Sequence, residues 1–112
     1  MYKIEAVIKP LRLTEVKSAL ADHGVRGMTV SEIRGFSEEE SHVERYRNTE
    51  CRVDLVPKLM IRVVVADERL TDVVKIIQKA AITGKIGDGS IFVSRIDDVL
   101  RIRTGATGLA AL

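Results

Sequence analysis

Apolar and polar positions alternate at the start of the chain. Ile4, Ala6 and Ile8 fall on one side of an extended segment, with Lys3, Glu5, Val7 and Lys9 on the other. This predicts a strand over residues 2–9, which Pro10 ends. The period then lengthens: Val16, Ala19 and Leu20 share one face of a helix, with Thr14 as its N-cap and Gly24 as its stop. Residues 25–36 predict a second strand through Met28, Val30 and Ile33, broken at Gly35. Alternation returns at Ile61, Val63 and Val65, a third strand over 59–66. Leu70, Val73, Val74, Ile77, Ala80 and Ala81 recur at helical spacing, which predicts an amphipathic helix over 68–82 closed by Thr83-Gly84. Residues 91–96 form the last strong strand.

The order β-α-β-β-α-β points to an α+β fold, a ferredoxin-like sandwich with an antiparallel sheet and both helices on one face, in a single domain over 1–112. The other face of the sheet then has no cover within the chain. It would show Val7, Val64 and Phe92 among Lys3, Thr29, Ser31, Arg62 and Ser94, a surface that usually meets another subunit. An oligomer is expected. Strands two and three should be joined by a short hairpin, yet residues 37–57 separate them without a sustained apolar period. That segment reads as a projecting, mobile loop, and such loops in compact domains usually carry function.

Composition narrows the classes. Apolar residues are 46% and charged residues 30% of 112, which suits one modest globular core. A net charge of +2, with both signs mixed along the chain and four scattered Tyr and Phe residues, gives neither a basic stripe nor a stacking platform for nucleic acid. No apolar run is long enough to cross a bilayer, and Glu5 interrupts any leader-like N-terminus, so a soluble cytoplasmic protein is expected. Cys51 is the single cysteine, which excludes an internal disulfide.

The chemistry concentrates in "GKIGDGSIFVSRIDDVLRIR", residues 84–103. Gly87-Asp88-Gly89 is either a tight turn into the last strand or a cradle whose backbone N–H groups approach an anion. GKIGDG has the spacing of neither a Walker loop nor a dinucleotide fingerprint. Arg101 and Arg103 project from one side if the backbone is extended; they either protect a sheet edge or grip phosphate. Lys58 stands where the long loop re-enters the sheet, as a solvated charge or an anion contact. Glu38, Glu39, Glu40 and His42 are either a solvated charge run or a metal site. His23 reads as a helix-end cation. No catalytic set emerges, since Cys51 has no base assigned by spacing.

"KIEAVIKP" at 3–10, "GVRGMTVSEIRGF" at 24–36, "TGKIGDGSIFV" at 83–93 and "RIRTG" at 101–105 together closely resemble the PII nitrogen-regulatory signal-transduction proteins, without a gap from residue 1 to about 105. The resemblance implies a non-catalytic homotrimer that binds ATP or ADP between subunits, with a protruding T-loop at about 37–55 that docks onto a transporter, enzyme or regulator. Thr29, Gly35, Phe36 and Val64 would border the base and ribose, beside Ser37. Gly87, Asp88 and Gly89 would wrap the phosphates, and Arg101 and Arg103 would reach in from the adjacent subunit. Lys58 would face the phosphates or a bound effector, 2-oxoglutarate in the family. Tyr46, Arg47, Thr49 and Cys51 would lie on the partner-binding part of the loop.

The departures from the family pattern are specific. Its modifiable tyrosine is Cys51 here, so uridylylation at that position is chemically impossible, and Thr49 matches the serine that some relatives phosphorylate. An arginine that helps hold phosphates is Glu38, and the glutamine that ligates magnesium is Glu39, which as a carboxylate still offers Mg²⁺ an oxygen ligand. The basic residue after the glycine turn is Ser90, and the acid that contacts ribose is Arg62. Like charges a few ångströms apart cost on the order of a kcal/mol near a protein surface, which predicts weakened 2-oxoglutarate binding and a shift from ATP toward ADP or AMP. A PII-like sensor of another metabolite, such as bicarbonate or AMP/ADP status, is therefore an alternative. A metal-binding trimer through His42, Cys51 and the glutamates, or a slow nucleotide hydrolase using Glu39 or Glu40 as base, is a further one.

Overall fold

The computed structural model describes residues 1–36, 42–46, 49–53 and 55–112, with 42–46 and 49–53 as main chain. Ser37, Glu39 and Arg47, expected to contact nucleotide, effector or metal, and partner, lie outside the described residues, and the side chains of Tyr46, Thr49 and Cys51 are not described either.

The chain forms β1 (Tyr2–Ile8), α1 (Leu13–Asp22), β2 (Thr29–Gly35), β3 (His42–Tyr46), β4 (Thr49–Val53), β5 (Val56–Val65), α2 (Leu70–Ala81) and β6 (Ser90–Arg95). β2, β5, β1 and β6 make one antiparallel sheet in that order, as the ferredoxin-like reading requires. Ile4, Ala6 and Ile8 of β1 join Ile61, Val63 and Val65 of β5 in one buried cluster with Val16 and Leu20 of α1 and Val73, Ile77 and Ala81 of α2. Burying each large aliphatic side chain contributes about 1.5–3 kcal/mol, so this cluster dominates the fold's stability. The α2 positions are spaced i, i+4, i+8, the stripe that the sequence pattern marks out.

Cross-strand neighbours fix the opposite face. Glu5 stands between Arg62 and Phe92, Val7 between Met60 and Ser90, and Thr29 opposite Arg62. Phe92 is 55% exposed there. The uncovered face is thus the expected one.

Four local expectations are corrected. Thr14 is not the cap of α1: Pro10 opens a 3-10 turn over Pro10–Arg12 that runs straight into the helix, so Arg12 takes the cap position and Thr14 lies inside. The second strand starts at Thr29 rather than Val25, because Gly24 adopts φ 78° and the Val25 amide still donates to Leu20 O, a helix-end bond. The long connection contains β3 and β4, paired with His42 opposite Val53 and Tyr46 opposite Thr49. A ladder of backbone hydrogen bonds needs no apolar stripe, so the absence of a period did not exclude strands. Finally, residues 101–103 are not extended. Gly105 N donates to Arg101 O at 2.8 Å, which bends the segment into a turn, and only Leu100 and Thr107 form a bridge.

Candidate functional site

The glycine loop is built around a carboxylate turned inward. Asp88 Oδ2 accepts from the Thr83 and Gly84 amides, each at 2.9 Å, and Oδ1 accepts from the Thr83 hydroxyl. Lys9 Nζ lies 3.3 Å from Asp88 Oδ1 and donates to Thr83 Oγ1 at 3.1 Å. The Thr83 hydroxyl foremost, then the Thr83 and Gly84 amides and Lys9, hold the Asp88 carboxyl far below the usual range against a desolvation that raises it. Asp88 therefore ties the loop to itself as an anion, rather than offering its charge to a ligand.

Two glycines make the loop possible. Gly87 and Gly89 have φ 94° and 99°, a region L side chains rarely enter. Gly89 lies so close to β1 that a Cβ there would sit 1.8 Å from the Val7 carbonyl oxygen. Lys58 is 5% exposed at the start of β5, and its Nζ donates to Gly87 O. A buried ammonium thus meets the loop at one end of the sheet.

Strand direction sorts the remaining expected residues. Gly35 pairs with Val56, and Phe36 follows, 57% exposed, so both stand at the Lys58 end of the sheet. The Gly87–Gly89 loop precedes Ser90, which faces Val7, at that same end. Thr29 and Val64 lie at the other end, where they line a groove of about 790 Å³ with Arg101 and Arg62. Val64 is six residues from Lys58 along β5, about 20 Å in an extended strand. The residues expected around base and ribose are therefore divided within one chain: Gly35 and Phe36 sit with the glycine loop, Thr29 and Val64 with Arg101.

Arg101 Nε donates to Ala111 O at 2.7 Å, which fixes its base against the 3-10 turn Gly108–Ala111. Arg103 is exposed in the turn and has no hydrogen bond or ion pair among the described residues. Lys9 and Thr83 were not legible as part of the glycine loop. Their signal is the Thr83–Asp88 spacing, which closes a small ring of side-chain-to-backbone bonds. Among the described residues no three His, Cys, Asp or Glu side chains are placed to hold a metal, and no helix is long and apolar enough to cross a membrane.

The profile of the family "Nitrogen regulatory protein P-II" matches residues 1–106. The chain is 53% identical over 112 residues to the nitrogen regulatory protein P-II of Rhizobium meliloti (strain 1021), covering all of both chains. It is 46% identical over 112 residues to the nitrogen regulatory protein GlnK of Escherichia coli (strain K12), again covering all of both. Its fold superposes with a TM-score of 0.82 and 40% identity on the crystal structure of Arabidopsis thaliana PII bound to citrate, covering 99% of this chain and 91% of that one. The family profile spans residues 1–106 and the relatives match along the whole chain, and the chain belongs to the nitrogen regulatory protein P-II family of signal-transduction regulators.

Proposed function

We propose that the protein is a non-catalytic homotrimeric regulator that binds an adenine nucleotide, ATP or ADP, in the cleft between two subunits and controls a cytoplasmic protein partner through residues 37–55. One observation carries this reading. Lys58 and the glycine loop stand at one end of the sheet and the groove with Thr29, Val64 and Arg101 at the other, with about 20 Å of β5 between Lys58 and Val64, so a single small ligand would meet both sets only where two copies adjoin. One copy supplies Lys58 and the Gly87–Gly89 loop, with Gly35 and Phe36. Its neighbour supplies Arg101, with Thr29 and Val64, and Arg103 from the adjoining turn. The uncovered sheet face, with Val7, Val64 and Phe92, is the surface on which copies would pack.

Main-chain N–H groups and guanidinium forks suit a polyphosphate, and the inward carboxylate of Asp88 keeps its charge away from one. Control by tyrosine uridylylation is chemically closed, because position 51 is Cys51. A weak 2-oxoglutarate response follows from Glu38, Glu39 and Glu40 at the loop base, and Mg²⁺ would enter with the nucleotide through Glu39. An ammonium transporter, a metabolic enzyme or a regulator would each suit the loop.

Complementation tests the shared site. Arg101→Gln and Lys58→Met variants should each lose nucleotide binding in isothermal titration, while trimers containing both should regain it, because one cleft then carries both native residues. A monomer in sedimentation equilibrium, or mixed trimers that bind no better than either parent, would refute the reading.

A further inference from the structure

Arg62 is the least expected side chain in the groove at the Thr29 end. Its Nε donates to Glu5 Oε2 at 3.0 Å and its Nη1 to Ser31 Oγ at 2.8 Å, so β1 and β2 hold the guanidinium from both sides. A guanidinium carries five N–H groups, and the other three have no partner among the described residues. The groove is lined by Lys3, Arg26, Arg62, Arg69 and Arg101 and by no Asp or Glu side chain. Arg69 donates to the His23 carbonyl and Arg101 to the Ala111 carbonyl, so neither is neutralised there. Glu5 is shared between Arg62 and Lys3, the latter at 3.5 Å, and Leu112, the last residue of the chain, also lines the groove. Met28 and Val64 supply half-buried apolar surface beside it.

An ion pair formed only to join β1 and β5 would explain the Glu5 contact. It leaves unexplained four more cations in the same groove and a pinned fork with spare donors. A flat, partly apolar ligand carrying an anionic group satisfies all of these features, since a preorganised guanidinium grips phosphate through two parallel hydrogen bonds. We infer that Arg62 is a specificity residue that recognises a phosphate on the ribose, so that the favoured ligand is an adenine nucleotide phosphorylated at the 2′ or 3′ position as well as the 5′ position. This rests on the reading that base and ribose lie against Thr29 and Val64, and Thr29 stands directly opposite Arg62 in the sheet.

Isothermal titration at one fixed salt concentration compares ADP, adenosine 3′,5′-bisphosphate and adenosine 2′,5′-bisphosphate. All three carry two phosphate groups; the two bisphosphates are equal in charge but carry more than ADP near neutral pH, so position is read from the difference between the bisphosphates and from the loss of the preference in the variants. The unaltered protein should bind one of the bisphosphates about tenfold or more tighter than ADP, the worth of one charged hydrogen-bonded contact. Arg62→Gln should abolish the preference, bringing the ratio of bisphosphate to ADP affinity to about one, and Arg62→Glu should reverse it. ADP bound as well as or better than both bisphosphates by the unaltered protein overturns the inference and leaves the nucleotide reading standing. If none of the three binds, the inference falls, and if ATP also fails to bind, the nucleotide reading falls with it. The ratio in the unaltered protein decides the matter even where a variant does not fold.

Discussion

Gly89→Ala isolates the tightest backbone approach in the molecule. The new Cβ would stand 1.8 Å from Val7 O and 2.7 Å from Val7 C, both main-chain atoms of β1 that no rotamer change relieves. Real Cβ contacts stay beyond 3.0 Å, so loop and strand must part by about 1.2 Å. Val7 pairs with Ser90 on one side and Met60 on the other, and a shift of that size strains both ladders. Two weakened backbone hydrogen bonds at about 1 kcal/mol each, and roughly 1–2 kcal/mol for a side chain at φ 99°, sum to about 3–4 kcal/mol. Gly84→Ala is the control: its φ is 80° but nothing lies within 4 Å of the added atom, so only the dihedral strain of about 1–2 kcal/mol applies. Urea unfolding at a fixed protein concentration measures both, and Gly89→Ala should lower the midpoint by roughly 1.5–2 M, about twice the shift of Gly84→Ala. Equal shifts for the two alanines would show that the loop does not rest on β1, and the account of the glycine cradle would go with it.

Ile77→Ala, at a position with no exposure in the centre of the core, should cost about 2–5 kcal/mol in the same assay, whereas exposed Lys75→Ala on the same helix should stay within about 0.5 kcal/mol. Arg12 donates from Nε and Nη2 to the Ala80 carbonyl at 3.0 and 2.7 Å, near the C-terminal end of α2. Arg12→Met strands that acceptor and should remove about 1–2 kcal/mol, seen also as faster amide exchange in the last turn of α2. Asp88 is held below its usual range chiefly by the Thr83 hydroxyl, and Glu5 chiefly by its hydrogen bond from Arg62. Lowered carboxyls stabilise the fold above the unfolded value of ~4 and lose that contribution as pH falls through and below it, so thermal stability should decline from about pH 5 downward. Asp88→Asn should be less stable than the unaltered chain at pH 7 and flatter across the acid range; an unchanged pH profile would remove Asp88 from its assigned part in the loop.

The alternation of Ile4, Ala6 and Ile8, the i, i+4, i+8 stripe of Val73, Ile77 and Ala81 and the bare face of Val7 and Phe92 were all legible before any coordinates, and together they determine the ferredoxin-like sandwich. They are legible because backbone geometry repeats every 2 or 3.6 residues, so one buried face stamps its period on the sequence. The family pattern likewise marked Gly87, Asp88, Gly89 and Arg101 residue by residue. Only the folded chain decided how these groups relate. β3 and β4 pair through main-chain groups that every residue carries, which leaves no compositional trace. The turn at Arg101–Gly105, the inward carboxylate of Asp88 and the Arg62–Glu5–Ser31 contact join residues through hydrogen bonds whose partners are fixed by where strands start and in which direction they run. For the same reason Thr29 and Gly35, six residues apart on one strand, end up facing different neighbours: local periodicity names the face of a side chain, and tertiary packing alone brings together the ends of the sheet.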